Sequence, residues 1–281
     1  MKFAVVTGGT SGIGLQTALS LAGLKWTVVV TGRDAERGEA AAAALRAAGG
    51  EGHFIAGDLG TLSGARKLGD ALCARFPRID VLINNAGAAT NALERTSDGL
   101  ERCFAVNVAA TLALTRALLP ALEAAQPARV VMLTGGTARG AVDAAALNGE
   151  AFDGLNTYSN SKKALEAASL ALGVELAPRG VFVNVVYPGQ ASTAMTQSMT
   201  ASAFPWFARP FFPLFKWLVR DDGGKGARKA SRSSVFAATS PTLDRVHGKY
   251  FSPDCQEQRL HASVYDGENQ RRVLALVPPA A

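Results

Sequence analysis

Short apolar runs rich in β-branched residues alternate along the chain with longer segments rich in alanine and leucine. The short runs predict strands over 3–7, 27–31, 53–56, 81–84, 130–134, 182–187 and 249–251. The longer segments predict helices over 12–24, 35–48, 62–76, 99–125 and 157–176. Continuous apolar strands separated by helices are typical of a parallel sheet covered on both faces. We therefore predict an α/β fold, a doubly wound parallel sheet of about seven strands.

Composition supports a folded chain with one domain. Of the 281 residues, 48% are hydrophobic and 19% are charged, which excludes a disordered chain. No linker or repeat divides the pattern, so residues 1–281 are predicted to form a single domain. The segment from about 191 to 226 breaks the alternation of strands and helices and is expected to be a substrate lid.

Charge and cysteine content indicate whether to expect a nucleic-acid partner, a metal site or an oxidising compartment. The net charge is +6, and much of the surplus lies at 220–232, where no nucleic-acid motif is present. We predict no nucleic-acid partner. Three scattered cysteines, Cys73, Cys103 and Cys255, show neither metal nor disulfide spacing. No metal site is predicted, and a reducing, cytoplasmic location is expected, also because the first residues do not resemble a signal peptide.

A glycine-rich stretch, TGGTSGIG at 7–14, follows the first predicted strand and opens the first predicted helix. Glycines at 8, 12 and 14 permit a tight turn and the close approach of a pyrophosphate to free backbone N–H groups. The alternative is a glycine-rich turn without a ligand. The strand–turn–helix context favours dinucleotide binding. The candidate cofactor-binding residues here are Gly8, Thr10, Ser11, Gly12, Ile13 and Gly14.

Arg33 stands at the end of the second predicted strand, where a dinucleotide's adenine ribose is expected. A carboxylate there would bind the ribose 2′-hydroxyl, whereas an arginine suits a 2′-phosphate. Asp34 follows directly, so a solvated Arg33 beside a helix-capping Asp34 is the alternative interpretation. We favour NADP(H) over NAD(H).

Six motifs in order resemble the short-chain dehydrogenase/reductase family over residues 2 to about 255. They are TGGTSGIG at 7–14, GDL at 57–59, NNAG at 84–87, Asn107 in FAVNVAA, YSNSK at 158–162 and YPGQAST at 187–193. The resemblance implies a Rossmann-type sheet. It also implies that cofactor contacts come from Asp58, Leu59, Asn85, Ala86, Gly87, Pro188, Gly189 and Thr193. FDGLNTYSNSK, YPGQASTAM and GKYFS are most similar to the branch of retinol dehydrogenases and light-dependent protochlorophyllide reductases.

Tyr158 and Lys162 are four residues apart, which places both side chains on one face of a helix. A nearby ammonium and an oxidised nicotinamide would both favour the tyrosine phenolate, so this pair suits general acid–base chemistry. The family resemblance adds a hydrogen bond from Lys162 to the nicotinamide ribose and a water held by Asn107. A surface Tyr–Lys pair, and an Asn107 that bridges backbone groups at a helix kink, are the alternatives.

The family's serine just past the fifth strand is missing. In this register the position holds Gly135, which offers no hydroxyl donor. A threonine hydroxyl can supply the same donor, and we favour Thr137 over Thr134. Without a replacement, the reductase would be slowed rather than inactive. The gap also fits an iminium or conjugated alkene substrate that needs no donor there.

An aromatic segment at 204–217, FPWFARPFFPLFKW, suggests a bulky hydrophobic small-molecule substrate. Peripheral membrane contact and packing within a homodimer or homotetramer are alternative uses of the same residues. The prediction is therefore an NADPH-dependent oxidoreductase that reduces a carbonyl, or an activated C=C or C=N bond, with Tyr158 as proton donor. The rivals are a redox-neutral dehydratase, cyclase or isomerase, and a non-catalytic NADP(H)-binding sensor.

Overall fold

The computed structural model describes residues 1–135, 141–143, 147–150, 152, 154–189, 197, 200, 201, 210, 212, 213 and 223–277. Eight strands form one sheet in the order β3-β2-β1-β4-β5-β6-β7-β8. The strands are β1 (Phe3–Thr7), β2 (Thr27–Gly32), β3 (Glu51–Ala56), β4 (Val81–Asn84), β5 (Ala128–Leu133), β6 (Val181–Val186), β7 (Tyr250–Phe251) and β8 (Glu257–Gln258). Strands β1 to β7 are parallel, which confirms the predicted fold class.

The sheet has one strand more than predicted. β8 pairs with β7 in the antiparallel direction and adds a polar, exposed edge. A two-residue strand of Glu257 and Gln258 carries no apolar pattern, so periodicity could not predict it. An ion pair of 2.7 Å between Lys249 and Glu257 joins the two short strands on this edge.

Helices cover both faces of the sheet. They are α1 (Gly12–Gly23), α2 (Ala35–Ala47), α3 (Leu62–Arg75), α4 (Arg102–Phe104), α5 (Thr111–Ala117), α6 (Leu119–Glu123), α7 (Gly154–Leu176), α8 (Lys225–Thr239), α9 (Ala262–Tyr265) and α10 (Gly267–Ala275). Ala105–Ala110 form a π-helical segment between α4 and α5. Among the helices in the described ranges, none combines the length and apolar character needed to cross a bilayer.

The single helix predicted over 99–125 is interrupted. It begins only after Glu101, whose carboxylate accepts hydrogen bonds from the N–H groups of Cys103 and Phe104, both at 2.9 Å. It breaks again at Leu118, two residues before Pro120, which has no N–H to donate. The alanine- and leucine-rich pattern continues through both points, which is why periodicity did not reveal them.

The core lies in two layers on opposite faces of the sheet, because successive strand residues point to opposite sides. Val5, Leu82 and Val130 pack with α3, α5 and α7 on one face. Val6, Ile83 and Val131 pack with α1, α2 and α8 on the other. With apolar residues buried on both faces, the polar residues that follow each strand collect at the carboxyl edge of the sheet.

Candidate active site

The loops after β1, β2 and β3 meet at this carboxyl edge. The N–H of Gly9 donates to the Thr31 carbonyl at 3.2 Å, and that of Gly57 donates to the Gly32 carbonyl at 3.0 Å. Gly32 lies so close to the first loop that an added Cβ would be 2.9 Å from Thr10 Cγ2. The structure therefore brings Thr10, Arg33 and the residues after β3 to one side of the molecule, as the motifs predicted.

The glycine loop, residues 8–14, needs its glycines for backbone conformation and for space. Gly8 and Gly12 have φ values of 61° and 53°, in the left-handed region that side chains disfavour. A Cβ on Gly14 would lie 2.4 Å from Asn85 Nδ2 and 2.5 Å from the Gly8 carbonyl oxygen. The loop is thus folded tightly against the loop that follows β4.

The start of α1 is open to an anion. Ser11 occupies the N-cap position without a side-chain capping hydrogen bond, and the first turn, with Gly12 and Ile13, carries no acidic residue. Ser11 is exposed, while Thr10, Gly12 and Ile13 are half-buried. Free N–H groups at a helix N-terminus beside a close-packed glycine loop fit the pyrophosphate of a dinucleotide.

Arg33 is exposed at the end of β2, whereas the neighbouring Asp34 is engaged in its own helix. The Asp34 carboxylate accepts from the Arg37 N–H at 3.1 Å, caps α2 and lies 3.3 Å from the Arg37 guanidinium. The alternative considered for Asp34, a helix cap, is what the structure shows. Arg33 is therefore an exposed cation at this strand end, next to a carboxylate that already has partners.

Other predicted cofactor residues flank the same edge. Asp58 is exposed after β3, and its carboxylate accepts from the Gly60 N–H at 2.9 Å, while Leu59 is buried in the core. Pro188 and Gly189 follow β6 directly, with Gly189 at a φ of 82°. Thr193 lies outside the described residues.

Asn85 fastens two loops rather than leaving its amide free. Its Nδ2 donates to the carbonyls of Thr7 at 2.8 Å and Gly8 at 3.2 Å. The Thr7 hydroxyl accepts from the N–H groups of Asn85 and Ala86, both at 3.0 Å. Ala86 and Gly87 are half-buried beside the glycine loop. Thr7, which the motifs did not single out, thus organises both loops.

Asn107 lies in the π-helical segment and is fully buried. Its amide oxygen and both amide hydrogens form hydrogen bonds within the protein. Its Oδ1 accepts from the Ala88 N–H at 2.8 Å, and its Nδ2 donates to the Ala88 carbonyl and the Ser161 hydroxyl, both at 2.9 Å. The side chain therefore binds backbone groups of Ala88, in the loop after β4, and ties this loop to Ser161 of α7. The water predicted at Asn107 stays a prediction.

Tyr158 and Lys162 lie on the face of α7 that packs against the end of β5. The Lys162 ammonium donates to the Leu133 carbonyl at 3.1 Å. A Cβ built on Gly135 would be 3.2 Å from Lys162 Cγ and 3.4 Å from the Tyr158 hydroxyl. The structure thus brings Gly135 directly against the Tyr–Lys pair, as the sequence register predicted.

Burial controls the electrostatics of this pair. It raises the pKa of Tyr158 to about 12, and the neighbouring Cys103 and Tyr187 add to the rise. Burial also lowers the pKa of Lys162 to about 8, partly offset by the Glu166 carboxylate. Tyr158 is therefore a protonated phenol at neutral pH. The sequence led us to expect that Lys162 lowers the pKa of Tyr158, whereas burial raises it in this protein.

The two threonines proposed as substitutes for the missing serine differ in what can be described. Thr134 is buried, and its hydroxyl donates a short hydrogen bond to Glu166 Oε1. Its proton is thus engaged away from a substrate. Thr137 lies outside the described residues. The Tyr–Lys motif does not include Glu166, which lies one turn after Lys162 on the same helix; its spacing of four from Lys162 is the sequence signal for it.

Comparison with known proteins identifies the family of this chain. The model of the short chain dehydrogenase family matches residues 2–203. Polyprenol dehydrogenase of Mus musculus is 34% identical over 98% of this chain and 82% of its own length. Retinol dehydrogenase 14 of Mus musculus is 33% identical over 97% of this chain and 83% of its own. The RhlG/NADP active-site complex of Pseudomonas aeruginosa superposes with a TM-score of 0.65 at 26% identity, covering 89% and 94% of the two chains.

The chain belongs to the short-chain dehydrogenase/reductase family, whose members bind NAD(P) and catalyse oxidoreduction. Its similarity to curated relatives along nearly its whole length places it in the retinol dehydrogenase branch of that family, as its motifs predicted.

Proposed function

We propose that this protein is an NADPH-dependent reductase of a carbonyl group on a bulky hydrophobic substrate. The observation that carries the proposal is the contact of Tyr158 and Lys162 with the end of β5, at the carboxyl edge where the dinucleotide loops meet. A protonated phenol beside a lysine at that edge suits proton donation to a developing alkoxide.

Each residue of the pair has a defined task in this proposal. Tyr158 donates its proton to the substrate oxygen, and its high pKa keeps it in the donating form at neutral pH. Lys162 holds the end of β5 through Leu133, next to the residue that packs against Tyr158. The reverse oxidation needs the phenolate, which the positive ring of an oxidised nicotinamide would favour. Reduction is the direction we propose, and the cofactor that is bound would decide it.

The cofactor is proposed to be NADP(H), held by the glycine loop, Arg33 and the loops after β3, β4 and β6. A bound nicotinamide would supply the hydride. Arg33 supports the 2′-phosphate form because its guanidinium is exposed at the ribose position while Asp34 caps α2. The remaining proposed contacts are Asp58, Leu59, Asn85, Ala86, Gly87, Lys162, Pro188, Gly189 and Thr193.

The substrate is proposed to be a lipophilic aldehyde or ketone, or the corresponding activated C=C or C=N compound. Retinol and polyprenol, named in the two relatives, are both lipophilic alcohols, which are the reduced form of such aldehydes. The aromatic segment at 204–217 is proposed as the hydrophobic lid. Apart from Pro210, Phe212 and Pro213, it lies outside the described residues.

A peripheral membrane contact is proposed for the basic face of α8, formed by Lys225, Arg228, Lys229 and Arg232. All four are exposed and repeat at helical spacing, and they line a groove of about 870 Å³ with Val235 and Phe236. Among the described residues, none of the four forms an ion pair. Cations beside apolar side chains suit an anionic lipid surface. A cytoplasmic location and a homodimer or homotetramer remain our expectations.

Gly135 keeps a redox-neutral rival open, since a dehydratase, cyclase or isomerase could use Tyr158 without the missing donor. The deciding experiment follows NADPH absorbance with a panel of lipophilic aldehydes, quinones, enones and imines. For a substrate that is reduced, Tyr158→Phe should lower kcat/KM by roughly 100- to 10,000-fold, with NADPH affinity and Tm unchanged. If NADPH binds tightly but is not consumed with any of the panel, the reductase proposal fails.

A further inference from the structure

Glu166 is a buried carboxyl that the proposed chemistry does not use. It lies on α7 at a spacing of four from Lys162 and eight from Tyr158, so the three side chains share one face of the helix. Its residue exposure is 3% and that of Lys162 is 4%. Burying a carboxylate is unfavourable unless it is paired and hydrogen-bonded, so its partners indicate what it does.

Three consecutive residues at the end of β5 are fixed by this face of α7. The Leu133 carbonyl accepts from the Lys162 ammonium at 3.1 Å, and the Thr134 hydroxyl donates to Glu166. The next residue, Gly135, packs against Tyr158 and Lys162. Glu166 is therefore the third anchor of the strand end that faces the proposed reacting group.

The charges around Glu166 identify its electrostatic partner. On its own helix it faces Lys162 and Lys163. The Glu166 carboxylate interacts electrostatically with Tyr250 of β7, and Cys103 of α4 interacts in the same way with Lys162. Burial raises the pKa values of Tyr250 and Cys103 to about 12, so both are neutral near pH 7. Lys163 also donates to the Ala141 carbonyl at 3.1 Å, away from the strand end.

Burial moves the pKa values of Glu166 and Lys162 toward each other. Burial raises the pKa of the Glu166 carboxyl to about 7 and lowers that of the Lys162 ammonium to about 8. Both groups therefore titrate closer to neutral pH than an exposed carboxyl and an exposed ammonium would. In that range the carboxylate opposes deprotonation of the lysine.

We propose that Glu166 is a positioning residue of the active site, which anchors the end of β5 through Thr134 and, from the same face of α7, stabilises the positive charge of Lys162. The kinetic consequence rests on the proposed reductase function, whereas the electrostatic part does not. With Glu166 neutralised, Lys162 should lose its proton at lower pH. The alkaline limb of the reduction rate should then move in the same direction.

The test uses Glu166→Gln, which keeps the size and the oxygen acceptor for Thr134 but removes the charge. Thr134→Val removes only the hydrogen bond, and Glu175→Gln removes an exposed carboxylate of the same helix as a matched control. The titration of Lys162 is followed in the free protein by NMR of 13Cε-labelled lysine, with the signal assigned from Lys162→Arg. Tm and the pH dependence of kcat/KM are measured beside it.

Glu166→Gln should lower the pKa of Lys162 by roughly one unit or more and shift the alkaline limb of kcat/KM equally. Thr134→Val should shift both less, because Glu166 ionises less readily without its donor. Glu175→Gln should change neither. An unchanged Lys162 titration in Glu166→Gln, or in Thr134→Val if the first variant does not fold, overturns the proposal. A titration shift without a kinetic shift overturns the positioning role. If no substrate is reduced, the NMR result still decides the electrostatic part.

Discussion

Gly135 stands where the family resemblance leads us to expect a serine, and the space for a side chain there is crowded by the Tyr–Lys pair. An added Cβ would lie 3.2 to 3.4 Å from Lys162 and Tyr158, slightly closer than ordinary van der Waals contact. A small side chain fits only if these neighbours shift by a few tenths of an ångström. Replacing the expected serine by glycine therefore changes the packing at this position as well as removing a hydrogen-bond donor.

Comparing Gly135→Ala with Gly135→Ser separates these two effects. Alanine adds only the crowding and should lower kcat/KM for a carbonyl substrate several-fold. Serine adds the same crowding together with a hydroxyl donor, and should exceed alanine by roughly tenfold or more, since a donor to a developing oxyanion is worth about 100- to 1,000-fold when fully formed. Steady-state kinetics with both variants test this. Equal rates for alanine and serine would show that the enzyme does not use a donor at this position.

We propose that the Arg33 side chain makes the protein prefer NADPH to NADH. Arg33→Ala should weaken NADPH binding by roughly tenfold or more while leaving NADH binding nearly unchanged, because only the former has a 2′-phosphate. Isothermal titration calorimetry with both cofactors measures this. Arg37→Ala, which removes an exposed arginine four residues further along the chain, in α2, is the matched control. Equal losses for NADPH and NADH would refute the assignment.

At the scale of elements, the π-helical segment positions the site through Asn107. A π-helical turn changes the direction in which a side chain leaves the helix, and such turns are frequent at functional sites. Here it directs the Asn107 amide toward Ala88 and Ser161 at the same time. The loop after β4 and the helix that carries Tyr158 are therefore held at a fixed separation.

Asn107→Asp should destabilise the protein by about 1–3 kcal/mol or more, because it replaces both amide donors by a carboxylate in a fully buried position. Urea unfolding monitored by circular dichroism gives the free energy of unfolding. Asn148→Asp, at an exposed position, should change it by less than about 0.5 kcal/mol. Similar stabilities for the two variants would mean that the amide does not hold these elements together.

At the scale of the whole molecule, surface charge is uneven. The basic face of α8 presents four cations beside a groove, whereas most other charged residues of the described helices are interspersed with charges of the opposite sign. If this face meets a membrane, binding should depend on anionic lipid and weaken with salt.

Changing Lys225, Arg228, Lys229 and Arg232 together to glutamine should weaken binding to phosphatidylserine-containing vesicles by at least roughly tenfold, since each basic residue contributes about 1 kcal/mol near an anionic surface. Vesicle co-sedimentation measures the partition. The control changes four exposed basic residues elsewhere, namely Lys25, Lys67, Arg259 and Arg271, with the same loss of charge. Equal losses in the two variants would indicate nonspecific attraction rather than a membrane-binding face.

The sequence by itself determined the class of fold, the family and the glycine loop, because these depend on local periodicity and on residues adjacent in the chain. The apolar runs gave seven strands within a few residues of their true ends, and the spacing of Tyr158 and Lys162 placed both on one face of α7. The polar two-residue strand β8 and the breaks within the helix predicted over 99–125 escaped, since neither alters the hydrophobic pattern over a full turn or strand.

Only the tertiary structure decided how distant segments meet. The hydrogen bond from Thr134 to Glu166 joins residues 32 positions apart, and that from Asn107 to Ser161 joins residues 54 apart. The first depends on how α7 packs against the end of β5, and the second on how α7 packs against the π-helical segment. Packing of the two core layers sets both arrangements, and no short stretch of sequence specifies them.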